Sequence, residues 1–379
     1  MEQKQTQQRN AGFATFILSG LCAISSGVVV SLLQETYGFA YSMTGTLLSF
    51  MNIGNLLAGF ASGILPSKMG MKPSVLLLSF GYGAGYLLMG LSGWIPALML
   101  AFFLAGLARG NVINTCTILV GDNSKNRTKG LNILHGCFAF GALLCPFIIA
   151  AASARHPNLP MIILAASGGI IWLIFAAIPM ETKSTNQKGK TDWSFFRSKR
   201  FWMLTGLLFC QTGTEGTVAG WMVTYFKGSQ IISSQLSPYT VTIMWATTLT
   251  ARMLTAFFIP VKKIYSAMIA MSVGCIIFYL GLMTAKSQTG AILLLFAFSF
   301  SMAGMNPTIV SCAGRMTSLA SIGIMLPVAS ISAIIMPWII GIIAEHSTIT
   351  LGMSSIIILC VGMLLFAIAV KRLPSEEAD

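Results

Sequence analysis

The stretch from Pro96 to Val120 reads PALMLAFFLAGLARGNVINTCTILV, and it places an arginine, Arg109, in the middle of an apolar run of membrane-spanning length. A second run, from Phe201 to Phe226, reads FWMLTGLLFCQTGTEGTVAGWMVTYF and carries Glu215 near its middle. A charge at the centre of a bilayer is costly, so it normally faces a partner, a cavity or a substrate. These two charged residues are therefore the first candidates for a function.

The composition of the whole chain is that of a polytopic membrane protein. Its 379 residues are 55% hydrophobic and 9% charged, and the mean hydropathy is +0.80. The formal net charge is +13, but the basic residues lie mainly between apolar runs, which indicates membrane topology rather than nucleic-acid binding. The eight cysteines fall within apolar runs without metal-ligand spacing, so we expect packing roles and no metal site.

The runs predict an all-α membrane protein with twelve transmembrane helices in two six-helix halves. The predicted spans are 11–36, 43–65, 73–94, 96–120, 131–153, 160–179, 201–226, 237–258, 264–284, 290–312, 317–344 and 349–370. One long polar connection separates the sixth span from the seventh. The predicted domains are therefore an N-terminal half (1–180), a cytoplasmic linker (181–200) and a C-terminal half (201–379).

The distribution of basic residues predicts the orientation of these spans. With the N-terminus inside, 18 of the 23 Lys and Arg residues fall in cytoplasmic segments, three fall outside, and two, Arg109 and Arg252, lie in spans. The positive-inside rule then places both termini in the cytoplasm. We expect a multi-pass protein of the cytoplasmic (inner) membrane.

Glycine spacing and prolines predict how the helices pack. Glycines four or five residues apart suit close helix contact, as in Gly54/Gly59/Gly63, Gly81/Gly85 and Gly106/Gly110. Four prolines lie within spans and are expected to kink them: Pro146, Pro307, Pro327 and Pro337.

The connection between the second and third spans resembles a family signature. The stretch from Gly63 to Lys72 reads GILPSKMGMK and is similar to the Gly-x-x-x-Asp-Arg-x-Gly-Arg-Arg/Lys loop of the major facilitator superfamily. Ser67 stands where the family has its acid. The resemblance implies a major facilitator fold, which also has two six-helix halves joined by a polar loop.

Four further stretches resemble the fucose:proton symporter group and its sodium-dependent glucose transporter relatives. Residues 132–146 are similar to the fifth helix of this group, Glu215 with its neighbours to the seventh, Trp245 with Arg252 to the eighth, and residues 304–311 to the tenth. The resemblance implies a secondary carrier for a sugar or sugar-like solute, which is not an enzyme. We likewise expect no cofactor other than a coupling ion, H+ or Na+.

The proton-binding acids of the fucose symporter have no counterpart in this chain. The acid of its first helix falls at Gly27 and that of its fourth helix at Gly110. The resemblance then implies that coupling uses Glu215, uses sodium, or does not occur.

The first, fourth, seventh and tenth helices line the central cavity in this architecture. The candidate substrate-binding residues are the polar and aromatic residues in or near these spans: Arg109, Asn111, Asn114, Gln211, Glu215, Trp221 and Asn306. The candidate coupling or gating residues are Glu215, His135 and Arg252.

Each charged candidate has a functional and a structural interpretation. Arg109 either binds an anionic group of the substrate or forms an ion pair with Glu215 or a helix-end carbonyl. Asn111 and Asn114 share a face that lies about 140–200° around the helix from Arg109, so the three cannot all point into a cavity. Glu215 shares a face with Gln211 and can accept sugar hydroxyls, carry a proton, help to hold Na+ or serve structure alone.

The remaining candidates also stay open between two roles. Trp221 either stacks on a sugar ring or belongs to an interfacial aromatic belt, together with Tyr225. Asn306 either binds the ligand or caps or kinks its helix. His135 is a hydrogen-bonded polar residue or a proton relay, and Arg252 snorkels to the interface or closes an inner gate.

The sequence as a whole predicts a secondary active or facilitative transporter of a small polar solute, a sugar or an anionic sugar derivative, that works by alternating access and favours uptake. We expect a monomer whose partners are the small-molecule substrate and the lipid bilayer, with no nucleic acid. The alternative is an efflux carrier for drugs or other lipophilic solutes, since Met and Phe are abundant. A non-transporting membrane receptor or scaffold is a third possibility.

Overall fold

The computed structural model describes residues 2–125, 127–180, 194–257, 263–316 and 319–373. Over these ranges the chain is helical, with no strand. The helices of the first half are α1 Glu2–Ile24, α2 Ser26–Tyr37, α3 Tyr41–Met69, α4 Met71–Leu91, α5 Ile95–Asp122, α6 Arg127–Ser153 and α7 Leu159–Ala177.

The second half begins with a short 3₁₀ helix, Ser194–Arg197. Its α-helices are α8 Lys199–Ser229, α9 Tyr239–Phe257, α10 Ile264–Met283, α11 Gln288–Ala303, α12 Met305–Met316, α13 Leu319–His346, α14 Ile349–Ser354 and α15 Ile357–Arg372. Each of the twelve predicted spans falls on one helix or on a broken pair. Within the described ranges, eight helical segments are long and apolar enough to cross a membrane, or nine if α1 and α2 form one bent span. The predicted all-α membrane fold is confirmed.

The chain divides into two compact units, Met1–Thr185 and Asn186–Asp379. In the first unit, α5 packs against α3, α4 and α1, while α1 also packs against α6 and α7. In the second unit, α8 packs against α13, α15 and α12, and α10 packs against α11 and α15. The linker role of 181–200 stays a prediction, because residues 181–193 lie outside the described ranges.

Glycines allow α3 and α5 to approach closely. A Cβ added at Gly106 would overlap the carbonyl of Met51, and one at Gly54 would overlap the carbonyl of Phe103. Small residues at such crossings let two backbones touch, which is how membrane helices gain packing energy without a hydrophobic driving force. Gly59, also predicted as a contact glycine, instead has nothing within 4 Å of its added Cβ.

The first span is broken at Ser25, where α1 and α2 are bent by 41°. The hydroxyl of Tyr86 on α4 donates to the carbonyl of Cys22 at 2.5 Å, and the Ser25 hydroxyl donates to the same carbonyl at 2.8 Å. These donors satisfy a carbonyl at the end of α1, which would be costly to leave unpaired in a bilayer.

The tenth span is broken at Gly304, between α11 and α12. Pro307 lacks an N–H and therefore cannot donate to the carbonyl of Ala303. Thr308 bonds to the Gly304 carbonyl through its backbone N–H at 3.3 Å and its hydroxyl at 2.6 Å. By contrast, α6 continues through Pro146, and α13 continues through Pro327 and Pro337.

Candidate functional site

The clearest polar cluster of the second unit lies on α8. Gln211 Nε2 donates to Glu215 Oε2 at 2.6 Å, and the two residues are four apart on one helix. The Gln211 side chain is only 1% exposed, whereas Glu215 is half-buried. A carboxylate only accepts hydrogen bonds, so the Gln211 amide must turn its NH2 group toward Glu215.

The opposite end of the Gln211 amide meets α12. Asn306 Nδ2 donates to Gln211 Oε1 at 3.1 Å. Asn306 lies two residues past the break at Gly304, and its side chain is half-buried. The three side chains thus form a chain of hydrogen bonds in one direction, from Asn306 through Gln211 to Glu215. Each donation polarises the next, and the carboxylate is the final acceptor.

This cluster offers acceptors to a polar ligand. Its one buried member, Gln211, has both ends of its amide engaged, while Glu215 and Asn306 each keep oxygen lone pairs for a donor such as a sugar hydroxyl. Among the described side chains of this unit, no cation lies within ion-pair distance of Glu215. In the part of the chain that the structure describes, no three His, Cys, Asp or Glu side chains are grouped to hold a metal ion.

The two aromatic candidates of α8 are buried. Trp221 and Tyr225 are both 0% exposed, and the Tyr225 ring lies 5.1 Å from that of Phe226. An exposed interfacial belt at these positions, one of the two interpretations of the sequence, does not match this burial. Stacking on a ligand stays a prediction, since it needs one ring face to become accessible.

Arg109 lies on α5 in the first unit and is half-buried. Its Nε is buried and has no hydrogen-bond partner among the described residues. Tyr82, on α4, lies within electrostatic range of the guanidinium, but its hydroxyl is paired with that of Ser19 at 3.3 Å. A buried guanidinium N–H without an acceptor is a place where an anionic group of a ligand would bind.

The two asparagines of α5 differ in their surroundings. Asn111 is 1% exposed, its Nδ2 donates to the Val75 carbonyl at 3.2 Å, and its Oδ1 accepts from the Ser62 hydroxyl at 3.4 Å. The Asn111 amide therefore ties α5 to α4 and α3. Asn114 is half-buried and makes no hydrogen bond to a described residue, so its amide is available to a ligand.

The two remaining candidates are less defined. His135 is exposed on α6, and its ring meets the ring of Phe16 edge-on at a centroid distance of 6.1 Å. Arg252 belongs to α9, but its side chain lies outside the described side chains. The roles of both residues in coupling or gating stay predictions.

Sequence reasoning missed a buried cluster of hydroxyls beside Arg109. Tyr82 and Tyr86 are at most 1% exposed; the Tyr82 hydroxyl lies 3.3 Å from that of Ser19, and the Tyr86 hydroxyl lies 2.8 Å from that of Ser25 at the bend of the first span. The signal was the spacing of the two tyrosines, which are four residues apart on one face of α4.

A family model described as Major Facilitator Superfamily matches residues 11–324. The chain belongs to the major facilitator superfamily. One curated relative is the tetracycline resistance protein, class E, from Escherichia coli, 26% identical over 163 residues. That match spans 42% of this chain and only 40% of the relative's length.

Solved structures of this superfamily resemble the chain over almost its whole length. A D-xylose-proton symporter has a TM-score of 0.78 at 16% identity, covering 99% of both chains. The nucleoside transporter NupG has a TM-score of 0.74 at 16% identity, covering 97% of this chain and 98% of its own. A bacterial homolog of the human lysosomal transporter Spinster has a TM-score of 0.79 at 12% identity, with 97% of both chains covered. At these identities the likeness shows the fold alone.

The stretch 63–72, which resembles the superfamily signature loop, joins α3 to α4. Gly70 ends α3 with φ of 88°, a backbone conformation that favours glycine. Ser67, at the position of the family acid, donates its hydroxyl to the Ile64 carbonyl at 2.7 Å. Ser67 is thus engaged within its own helix.

Gly110, where the sequence resemblance places an acid of the fucose symporter, is closely packed. A Cβ added at Gly110 would lie 2.7 Å from the Ala58 Cβ and 2.7 Å from the Asn55 carbonyl. In this arrangement of α3 and α5 there is no room for a side chain at position 110, acidic or otherwise.

Proposed function

We propose that this major facilitator protein is a secondary transporter of a small polar solute, a sugar or an anionic sugar derivative, and that it works by alternating access. The observation that carries the proposal is the Asn306–Gln211–Glu215 chain of hydrogen bonds. A carboxylate held by an amide, with no cation beside it among the described side chains of its own unit, is suited to accept hydrogen bonds from the hydroxyls of a polyol. The likeness to the fucose symporter group supports the same solute class.

Arg109 supports the anionic branch of this proposal. Its Nε lacks an acceptor among the described residues, and a guanidinium binds carboxylate or phosphate in a bidentate geometry. Asn114 is a second donor on α5, but it lies about 140° around the helix from Arg109. We therefore assign the anion contact to Arg109 alone and expect Asn114 to add only a polar contact elsewhere on the helix.

Coupling is proposed to run through Glu215. Glu215 is the one carboxylate in the middle of a predicted span. Position 110, where the resemblance places another acid, is occupied by a tightly packed glycine. A carboxylate at such a depth needs a counter-charge or a proton. We propose that a proton or Na+ reaches Glu215 during uptake.

The first experiment identifies the ligand. The purified protein is screened for thermal stabilisation with neutral sugars, sugar acids, sulfonates and lipophilic drugs, each with and without Na+. A compound that binds only the folded state raises the melting temperature, by mass action. Stabilisation by sugars or sugar acids supports the proposal, and stabilisation by lipophilic drugs alone contradicts it.

The second experiment assigns the two charges by uptake into proteoliposomes. Glu215→Gln is expected to remove the dependence of uptake on pH or Na+, whereas Glu35→Gln, at an exposed position of α2, should keep it. Arg109→Gln is expected to weaken binding of sugar acids at least tenfold and to spare neutral sugars, with the exposed Arg155→Gln as control. Equal binding of sugar acids to Arg109→Gln and the native protein would refute the anion contact.

Efflux of a lipophilic solute is the second candidate function. The observation in its favour is the partial match to the tetracycline resistance protein, 26% identical over 163 residues. The drug arm of the stability screen tests it directly. If binding occurs without any solute movement in proteoliposomes, a receptor or scaffold role is supported instead.

A further inference from the structure

The predicted cytoplasmic end of the second unit carries an aromatic cluster at the start of α8. The rings of Phe195 and Phe201 are buried and lie 5.0 Å apart. Phe196 and Trp202 are 38% and 44% exposed, and their rings are 6.0 Å apart. The Trp202 indole donates to the Phe196 carbonyl at 2.9 Å, which fastens the 3₁₀ helix to the first turn of α8.

Arg200 joins three helix ends at this place. It is 5% exposed, its Nη2 donates to the Leu373 carbonyl at 3.1 Å, and its Nη1 lies 3.5 Å from the Tyr265 hydroxyl. Leu373 follows α15 and Tyr265 lies at the start of α10. Arg200 thereby brings the basic residues of these three helix ends to one side of the unit.

We call the exposed basic residues around Arg200 the basic patch: Arg197, Lys199, Lys263, Lys371 and Arg372. None of them forms an ion pair with a described acid. The described acids of this unit are Glu215, in the middle of α8, and Glu345, at the C-terminal end of α13. Among the described residues, the basic patch therefore has a positive charge that no acid balances, beside exposed aromatic rings.

We propose that the basic patch binds the headgroup phosphate of an anionic phospholipid, with Phe196 and Trp202 at the boundary between headgroups and acyl chains. Tryptophan favours this depth of a bilayer, and clustered Lys and Arg beside a membrane helix attract anionic lipids. The positive charge of the basic patch is complementary to a negatively charged phosphate, and the exposed apolar rings can contact the acyl chains next to it. This lipid contact is independent of the transported solute.

The test measures lipid binding to the whole protein in detergent. Phosphatidylglycerol or phosphatidylcholine is titrated, and retained lipid is counted by native mass spectrometry while the melting temperature is followed. Each basic residue near an anionic surface contributes about a fivefold gain in affinity. Arg197→Gln with Lys199→Gln should thus weaken phosphatidylglycerol binding about 25-fold, and Lys371→Gln with Arg372→Gln should do the same from another helix.

The matched control changes the same residue types elsewhere. Arg155→Gln with Lys286→Gln removes two exposed charges outside the basic patch and should leave phosphatidylglycerol binding unchanged. Equal loss in this control, or equal retention of phosphatidylcholine by the native protein, would overturn the proposal. Saturation of the basic patch by soluble glycerol phosphate would also overturn it, because the lipid chains would then add nothing.

The chain itself offers one competing occupant. Three acids follow α15 in sequence, Glu376, Glu377 and Asp379, and they lie outside the described residues. A triple variant, Glu376→Gln, Glu377→Gln and Asp379→Asn, is therefore titrated in parallel. If only this variant binds phosphatidylglycerol, the acidic tail is the occupant and the lipid proposal fails. If the native protein and the variant both bind, the proposal stands.

Discussion

Replacing Gln211 with methionine tests whether the α8 cluster holds Glu215 in place. Methionine has nearly the same length and no donor, so the change removes the 2.6 Å bond to Glu215 and the 3.1 Å bond from Asn306. A bond to a charged group contributes about 1.5–3 kcal/mol and a neutral bond about 0.5–1.5 kcal/mol. Burying an apolar side chain instead of an amide recovers part of this loss, so we expect a net destabilisation of about 2 kcal/mol.

A double-mutant cycle separates the charged bond from general packing. In the Glu215→Gln background the same replacement removes two neutral bonds instead of one charged and one neutral bond, so its cost should be smaller by about 1 kcal/mol. Equilibrium unfolding in detergent micelles gives both free energies. The matched control is Gln288→Met, at the exposed start of α11, which should stay within about 0.5 kcal/mol of the native protein.

The cycle has two outcomes that refute the reasoning. One is a Gln211→Met protein within about 0.5 kcal/mol of the native stability. The other is additivity of the two changes within about 0.3 kcal/mol, which would mean that Gln211 and Glu215 do not interact. In either case Glu215 would not be positioned by an amide, and the proposed solute contact would lose its structural support.

Five further substitutions test the first unit by melting temperature and ligand binding. Tyr86→Phe should destabilise by about 0.5–1.5 kcal/mol, because the Cys22 carbonyl at the bend of the first span loses its donor from α4 and keeps the Ser25 hydroxyl; an unchanged melting temperature would contradict this. Gly106→Ala should destabilise by more than about 1 kcal/mol through overlap with α3, whereas Gly59→Ala should be neutral or stabilising by up to about 1 kcal/mol; the reverse order would refute the packing. Asn111→Leu should lower the melting temperature, because it removes the bond to the Val75 carbonyl, whereas Asn114→Ala should lower only ligand affinity. If Asn111→Leu instead lost ligand affinity at an unchanged melting temperature, these two assignments would be reversed.

The helices were predictable because bilayer thickness fixes the length of an apolar span. Their breaks were harder to predict. The carbonyl of Cys22 at the bend near Ser25 accepts from the Tyr86 hydroxyl, which lies 64 residues later in the chain. No local pattern encodes that distance. The break at Gly304 was easier to predict, because Pro307, three residues later, lacks the N–H that would bond to the carbonyl of Ala303.

The candidate site was predictable where spacing along one helix decides it. Gln211 and Glu215 are four residues apart, so a shared face follows from helix geometry. The bond from Asn306 spans 95 residues and needs the packing of α12 on α8. Asn111 shows the limit of reading a polar residue in a span as a cavity residue, because its amide serves the contact between helices instead.

The structure also bears on what the carboxylate of Glu215 requires. A neutral amide holds this carboxylate without cancelling its charge, whereas an arginine or lysine partner would have done both. Since no described cation of the second unit lies within ion-pair distance of Glu215, we expect its charge to be compensated by a proton, by Na+ or by hydrogen bonds from the hydroxyls of a solute. When a bound ion or solute compensates a charge, the relative free energies of the protein's conformations differ between the empty and the loaded site. Such a difference in energy can link solute binding to a change of conformation. A ligand or ion that raises the melting temperature of the native protein but not that of Glu215→Gln would therefore be the coupling partner.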